Sequence, residues 1–168
     1  ATLPMTIRLR LLVPVFLLSA GLAGAQEPSG PALKTVFEGE FLVGGALNGG
    51  HVSGRNAAGQ AVALRHFNSI TPENVLKWES VHPRPDSFNF APVDALVDLA
   101  TRNGMFIVGH TLVWHSQTPA WVFQDAAGRP ASRELLLERM RDHITRVVGR
   151  YKGRIHGWDV VNEAVAED

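Results

Sequence analysis

A carboxylic acid directly follows an amide at the end of an apolar, aromatic segment. The segment is Trp158-Asp159-Val160-Val161-Asn162-Glu163-Ala164. A glutamic acid held among aromatic side chains resists ionisation, because desolvation disfavours its charged form. Such an acid donates a proton to a leaving oxygen near neutral pH, while the neighbouring amide hydrogen-bonds a hydroxyl group. We therefore predict that Glu163 is a general acid; the alternative is that Asn162 and Glu163 only cap a following helix.

Two histidines, an indole and an amide lie close together within residues 109–119, a segment predicted to be a loop after a strand. The imidazole of His110 and the amide of Gln117 suit recognition of hydroxyl groups, and the face of Trp114 suits stacking on a sugar ring. The five-residue spacing of His110 and His115 does not match the i, i+4 histidine pair of a zinc-protease helix, and no glutamate lies between them. We predict a polyol-binding segment without a metal; the alternative is a set of ordinary polar core residues.

A third polar group precedes the other two in the chain. Glu73, Asn74 and Lys77 are spaced to share one helical face, at offsets of three and four residues. They would offer an acceptor, an amide and a cation to a ligand rich in hydroxyl groups. A solvated charged helix is the competing interpretation.

The elements that must position these groups alternate between short apolar strands and amphipathic helices. Strands are predicted at residues 41–47, 66–70, 106–108 and 155–161. Helices are predicted at residues 53–65, from Pro92 to the stop at Gly104, and from the N-cap Ser132 to a stop near Gly153. This alternation predicts an α/β fold of parallel strands with helical crossovers.

The position of the polar residues favours one end of that sheet as the site. Glu73, Asn74, His110 and Glu163 come at or just after the ends of predicted strands. The carboxyl ends of the strands form the active face of a (β/α)₈ barrel and the ligand crevice of an open doubly wound sheet. Only four βα units fit into the sequence, whereas a closed barrel needs eight strands. We therefore expect a truncated barrel.

The composition indicates a globular protein without a preference for charged partners. Lys+Arg and Asp+Glu both number 16 among 168 residues, so no global field attracts nucleic acid or an anionic membrane. Cysteine is absent, which excludes disulfides and thiolate metal sites.

The N-terminal residues have the layout of an export signal. Arg8 and Arg10 precede an apolar run at residues 11–18, and small residues follow as far as Ala25. This order predicts a secretory signal peptide at residues 1–25, cleaved after Ala25, and a secreted or periplasmic product. The run is far shorter than the roughly 20 residues of a spanning helix, although an uncleaved membrane anchor is the alternative. Residues 26–36 are the predicted linker or N-terminal segment that follows.

Taken in order, the three polar segments resemble glycoside hydrolase family 10, the endo-β-1,4-xylanases with a (β/α)₈ TIM barrel. The resemblance rests on Glu73-Asn74-x-x-Lys77-Trp78-Glu79, on Gly109-His110-Thr111-Leu112-Val113-Trp114-His115 and on Trp158-Asp159-Val160-Val161-Asn162-Glu163. It runs from about residue 41 to residue 168 and covers about half of the family's catalytic domain. It implies that residues 37–168 are the N-terminal half of that domain, with about the first four βα units.

The resemblance also implies a role for each matched residue. Glu163 matches the acid/base, and Asn162 matches the residue that binds the 2-hydroxyl group of the sugar at the cleavage point. The residues that line that sugar's subsite in the family match His110, Trp114 and Gln117. The residues that bind the substrate on the non-reducing side match Glu73, Asn74 and Lys77. The family retains anomeric configuration, so a second glutamate is expected after the seventh strand, outside this sequence.

The expected protein is an endo-1,4-β-xylanase that acts on xylan or xylo-oligosaccharide as a monomer. The resemblance implies no metal and no organic cofactor, and no nucleic acid or membrane is expected as a partner once the signal is removed. We expect the 168-residue chain alone to be inactive, since it lacks the nucleophile. Two rival functions are a related retaining β-glucanase or cellulase, and a non-catalytic protein that binds xylo-oligosaccharides.

Overall fold

The computed structural model describes residues 30–165; the predicted signal peptide lies outside them. From Pro31 onwards the chain forms one compact unit. The strands are β1 (Gly44–Leu47), β2 (Ser69–Pro72), β3 (Phe106–Val113) and β4 (Gly157–Val161). The helices are α1 (Leu33–Val36), α2 (Gly49–Val52), α3 (Ala57–His66), α4 (Trp78–Val81), α5 (Ala91–Arg102) and α6 (Arg133–Arg150), and a 3₁₀ turn spans Ala120–Phe123.

The four strands form one parallel sheet in the order β1-β2-β3-β4. Each strand is joined to the next by helical segments, as parallel neighbours require. The predicted α/β fold with parallel strands is therefore confirmed for the described residues. Because all four strands run the same way, their carboxyl ends lie at one edge of the sheet. Glu73 follows β2 at this edge, and Glu163 follows β4.

The boundaries of all four strands differ from the predicted ones, and the fourth strand begins at Gly157 and not at residue 155. The strand predicted at residues 66–70 is wrong by about three residues, because His66 still belongs to α3 and the pairing with β1 begins at Ser69. The first strand is shorter than predicted and begins at Gly44. The third strand continues to Val113, so residues 109–113 are strand rather than loop, because they pair with β4 over this length.

The helices also differ from the predicted ones in three segments of the chain. The helix predicted at residues 53–65 begins later than predicted, because α2 ends at Val52 and Asn56 caps α3 by accepting a hydrogen bond from the Gly59 N–H. The predicted helical face of residues 73–77 is wrong, since these residues form bends and turns and helix begins only at Trp78. The end of the predicted linker is helical, because α1 spans Leu33–Val36.

The core lies between the sheet and the long helices α5 and α6. Helix α5 has Pro92 in its first turn and ends before Gly104, as predicted, and its apolar stripe faces the strands. The buried side chains at this interface include Ile70, Val93, Leu96, Val97, Ala100, Ile107, Val147 and Tyr151. None of the helices in residues 30–165 is both long and apolar enough to cross a membrane.

Ser132 caps α6, as its sequence position predicts. Its hydroxyl oxygen accepts a hydrogen bond from the Leu135 N–H at 3.2 Å. Replacing Ser132 by alanine leaves that N–H without its acceptor, so we expect a loss of about 1 kcal/mol in the free energy of unfolding, measured by urea denaturation. Ser132→Asn keeps an acceptor at the cap and should retain most of the stability; an equal loss in both variants would contradict the capping role.

Candidate active site

Glu163 lies just beyond β4 and contacts the loop after β3. Its Oε2 accepts a hydrogen bond from the indole N–H of Trp114 at 2.9 Å, and His115 Nε2 lies 3.8 Å from the same oxygen. The backbone of Glu163 has a φ of 51°, in the left-handed region that L-residues seldom adopt. Such strain is often concentrated at functional sites, where surrounding contacts hold the residue in place.

The predicted burial of Glu163 is wrong within the described residues. The Glu163 side chain is 57% exposed, and Val160 and Val161, which looked buried in the sequence, are 50% and 51% exposed. The reason is that β4 is an edge strand of the described sheet, so no described strand pairs with its outer side. Trp114 contacts the carboxylate by a hydrogen bond and does not enclose it.

His110 is held by a carboxylate that the sequence analysis did not assign to the site. The His110 Nδ1 and Asp159 Oδ2 are 2.8 Å apart, and both side chains are about one quarter to one third exposed. The contact follows from the register of the sheet, in which His110 on β3 pairs with Asp159 on β4. The prediction that His110 lies at or just after the end of its strand is therefore wrong, since His110 lies within β3. Because an ionised carboxylate only accepts hydrogen bonds, Nδ1 carries the proton that faces Asp159.

Trp158, on the same strand, lies flat against β3 beside this pair. A Cβ atom placed on Gly109 would overlap the six-membered ring of Trp158. Glycine at position 109 therefore allows the indole to approach the backbone of β3 closely.

The polar residues after β2 form a hydrogen-bonded cluster with the loop after β3. Lys77 Nζ donates to Asn74 Oδ1 at 3.0 Å and to Gln117 Oε1 at 2.6 Å, and the Asn74 amide donates to Glu73 Oε1 at 3.2 Å. Gln117 Nε2 donates to Glu79 Oε1 at 3.1 Å. The three residues after β2 are thus brought together as predicted, although by a turn and not by a helix.

The Lys77 ammonium also connects this cluster with the residue that contacts Glu163. Its Nζ lies 4.8 Å from the centre of the Trp114 ring, within the range of a cation–π interaction. The Trp114 indole therefore contacts the Lys77 ammonium through its ring face and the Glu163 carboxylate through its N–H.

A cavity of about 450 Å³ runs along β1 and β2 and reaches Glu73, which follows the carboxyl end of β2. Its walls include Thr71, Glu73 and His110, so it unites two of the predicted polar groups. Asn162 lies on the other side of β3, where its backbone N–H donates to the Val113 carbonyl at 2.9 Å. In residues 30–165, no group of three or more His, Asp or Glu side chains is arranged to hold a metal ion.

Behind the site, a buried aromatic cluster holds α4 against α6. The rings of Trp78 and His143 stack with centroids 4.0 Å apart, and His82 Nδ1 lies 3.2 Å from His143 Nδ1. His82 Nε2 lies 3.0 Å from the Pro85 carbonyl, which only accepts, so this nitrogen carries the proton. His82 Nδ1 then accepts from His143. Burial lowers the pKa of both imidazoles, to about 3 for His143.

Three residues of the site were not predicted as site residues from the sequence: Glu79, His115 and Asp159. All three lie within the three polar segments, and His115 was considered only as a possible metal ligand. Their partners are 38 to 49 residues away in the chain. Only the pairing of strands and loops reveals such contacts.

Comparison with known proteins connects this geometry with one family. Residues 32–168 match the family model described as glycosyl hydrolase family 10. The chain is 47% identical over 137 residues to endo-1,4-beta-xylanase B of Paenibacillus barcinonensis, covering 82% of this chain and 40% of that protein. It is 45% identical to a beta-1,4-xylanase of Dictyoglomus thermophilum, covering 82% and 36%.

Solved structures agree with the sequence comparison. The crystal structure of xylanase XynB from Paenibacillus barcinonensis, complexed with a conduramine derivative, matches with a TM-score of 0.78 at 44% identity. That match covers 84% of this chain and 42% of that one. The chain therefore spans about two fifths of the length of these relatives.

Proposed function

Because the chain belongs to glycosyl hydrolase family 10, we propose that the full-length protein is a retaining endo-1,4-β-xylanase with Glu163 as its acid/base. The family fold is a (β/α)₈ barrel, and the four parallel strands described here form part of one. The observation that carries the proposal is the Glu163 carboxylate at the tip of β4, hydrogen-bonded by Trp114. It lies at the strand end where barrel enzymes carry their chemistry.

In the proposed reaction, Glu163 supplies a proton and later recovers one. The protonated carboxyl gives its hydrogen to the glycosidic oxygen as the C–O bond to the anomeric carbon breaks. A second carboxylate, which we place outside the described residues, forms a covalent bond to that carbon. Glu163 then removes a proton from water, which displaces the carboxylate and restores both groups. In retaining enzymes the two carboxyl groups lie about 5–5.5 Å apart.

The proposed substrate-binding roles come from the family resemblance, and two of the matched residues, Glu73 and His110, line the cavity. We propose that Glu73, Asn74 and Lys77 bind hydroxyl groups on the non-reducing side, and that His110 and Asn162 bind the sugar at the cleavage point. His110 offers Nε2 to the substrate, because Nδ1 is engaged by Asp159. The remaining matched residues, Trp114 and Gln117, border the same subsite. Hydroxyl-rich, uncharged ligands suit this mixture of amides, imidazole and indole.

The test compares substrates with the purified full-length protein. We expect reducing sugar to be released rapidly from xylan and slowly or not at all from carboxymethylcellulose. Faster release from carboxymethylcellulose would support a β-glucanase instead. Binding of xylo-oligosaccharide by calorimetry without any release of reducing sugar would support a non-catalytic binding protein.

We also propose that the protein is exported and cleaved after Ala25. The support is the order of basic, apolar and small residues within residues 1–25. N-terminal sequencing of the protein recovered from the periplasm or the medium should begin at Gln26. Recovery of the uncleaved chain in the membrane fraction would contradict this proposal.

A further inference from the structure

The orientation of the Gln117 amide is determined by its two partners. A lysine ammonium only donates hydrogen bonds, so the group that faces Lys77 at 2.6 Å is the Gln117 oxygen. A carboxylate only accepts, so the group that faces Glu79 at 3.1 Å is the Gln117 nitrogen. A flipped amide would place donor against donor and acceptor against acceptor. Glu79 and Lys77 thus specify the same orientation from opposite ends.

Glu79 also contacts the backbone of Gln117. The Glu79 N–H donates to the Gln117 carbonyl at 2.9 Å, so the two residues are joined by a main-chain and a side-chain hydrogen bond. Gln117 has a φ of 46°, a conformation that needs support from its surroundings. This double contact provides that support and ties the loop after β3 to the start of α4.

The fixed amide determines where the Lys77 ammonium lies. Gln117 Oε1 and Asn74 Oδ1 both accept from Nζ, and these contacts hold the ammonium 4.8 Å from the centre of the Trp114 ring. A cation over an indole attracts the ring electrons and restrains the plane of the ring. The direction of the Trp114 N–H, which donates to Glu163, is restrained with it.

We propose that Glu79 is a positioning residue for Glu163, acting through Gln117, Lys77 and Trp114. Its carboxylate orients the Gln117 amide, the amide holds the ammonium over the indole, and the indole N–H aims at the acid/base carboxylate. As far as it concerns the reaction, this inference rests on the proposed function. Glu79 contacts none of the reacting atoms in this arrangement, and its effect is the alignment of the group that does.

The kinetic test uses Glu79→Ala and Glu79→Gln in the full-length protein. The value of kcat/KM reports the first step, which needs a proton from Glu163 when xylan is the substrate, so Glu79→Ala should lower kcat/KM for xylan about tenfold. The value for a dinitrophenyl xylobioside, whose leaving group needs no proton, should stay within about twofold. Glu79→Gln keeps an oxygen that accepts from Gln117 and should restore most of the xylan activity. Glu40, which is exposed and lies outside the three polar segments, provides the matched control Glu40→Ala.

Two kinetic results would overturn the proposal. Equal losses on both substrates would indicate a binding role or general destabilisation. A Glu79→Gln variant as impaired as Glu79→Ala would show that the charge of Glu79 matters and not its acceptor position.

A spectroscopic measurement separates this inference from the proposed function. The indole N–H resonance of Trp114, identified by its absence in Trp114→Phe, should move in Glu79→Ala and stay near its original position in Glu79→Gln. Trp121 donates its indole N–H to the Pro83 carbonyl at 3.1 Å and provides an internal reference. A stationary Trp114 resonance, or an equal displacement of both resonances, would refute the relay. An absence of xylanase activity in the parent protein would refute the proposed function and leave this measurement valid.

Discussion

Glu163→Ala in the full-length protein is expected to lower kcat/KM for xylan by about 10²–10⁴-fold, the usual contribution of a positioned general acid. A sugar leaving group departs poorly without a proton. A dinitrophenolate leaves without one, so kcat/KM for a dinitrophenyl xylobioside should fall much less. Initial rates on the two substrates measure the difference.

The same variant should also slow the second half of the reaction, because no base remains to activate water. The glycosyl-enzyme intermediate should therefore accumulate, visible as a burst of dinitrophenolate followed by a slow steady rate. Glu40→Ala, which removes an exposed carboxylate outside the three polar segments, should behave as the parent protein does. Equal losses on xylan and on the activated substrate would contradict the acid role of Glu163.

The buried His82–His143 pair makes stability depend on pH in the weakly acidic range. Burial lowers the pKa of His143 to about 3, whereas an unfolded chain leaves it near 6.5. Between these values the unfolded state binds a proton that the folded state does not, so stability falls as the pH falls below 6.5. The loss is on the order of 2 kcal/mol at pH 5 relative to pH 7.5. His82, whose pKa is also lowered, adds to it in the same direction.

Urea unfolding at pH 5 and at pH 7.5 measures this dependence above the range in which carboxylates titrate. His143→Phe keeps an aromatic ring against Trp78 but cannot bind a proton, so the difference between the two pH values should shrink by about 2 kcal/mol. The variant should lose about 1–3 kcal/mol at pH 7.5, since His82 Nδ1 loses its donor. His115→Gln, which replaces a 69% exposed histidine, should leave the pH dependence unchanged. A pH dependence of the same size in His143→Phe and the parent would refute this account.

Local pattern predicted those elements whose signals lie within one segment. Helix α5 shows this, because Pro92 and Gly104 bracket a continuous apolar stripe. Helix α6 shows it too, since Ser132 caps an amphipathic run of 18 residues. The prediction failed at the boundary between α3 and β2, where His66 was assigned to the strand but completes the last turn of α3. It failed again at residues 73–77, whose spacing suits a helix but whose backbone turns after β2.

The sequence by itself determined the order of strands and helices, the family and the identity of the chemistry-bearing residues, because these depend on residue types and short spacings. The tertiary structure decided which of those residues touch. His110 meets Asp159, and Trp114 meets Glu163, across 49 residues of chain in each case. Such contacts depend on the register of one strand against the next, and a shift of one residue would turn each side chain to the opposite face of the sheet. The exposure of Glu163 likewise depends on which parts of the protein pack around β4. The spacing of residues within the motif carries no information about that packing.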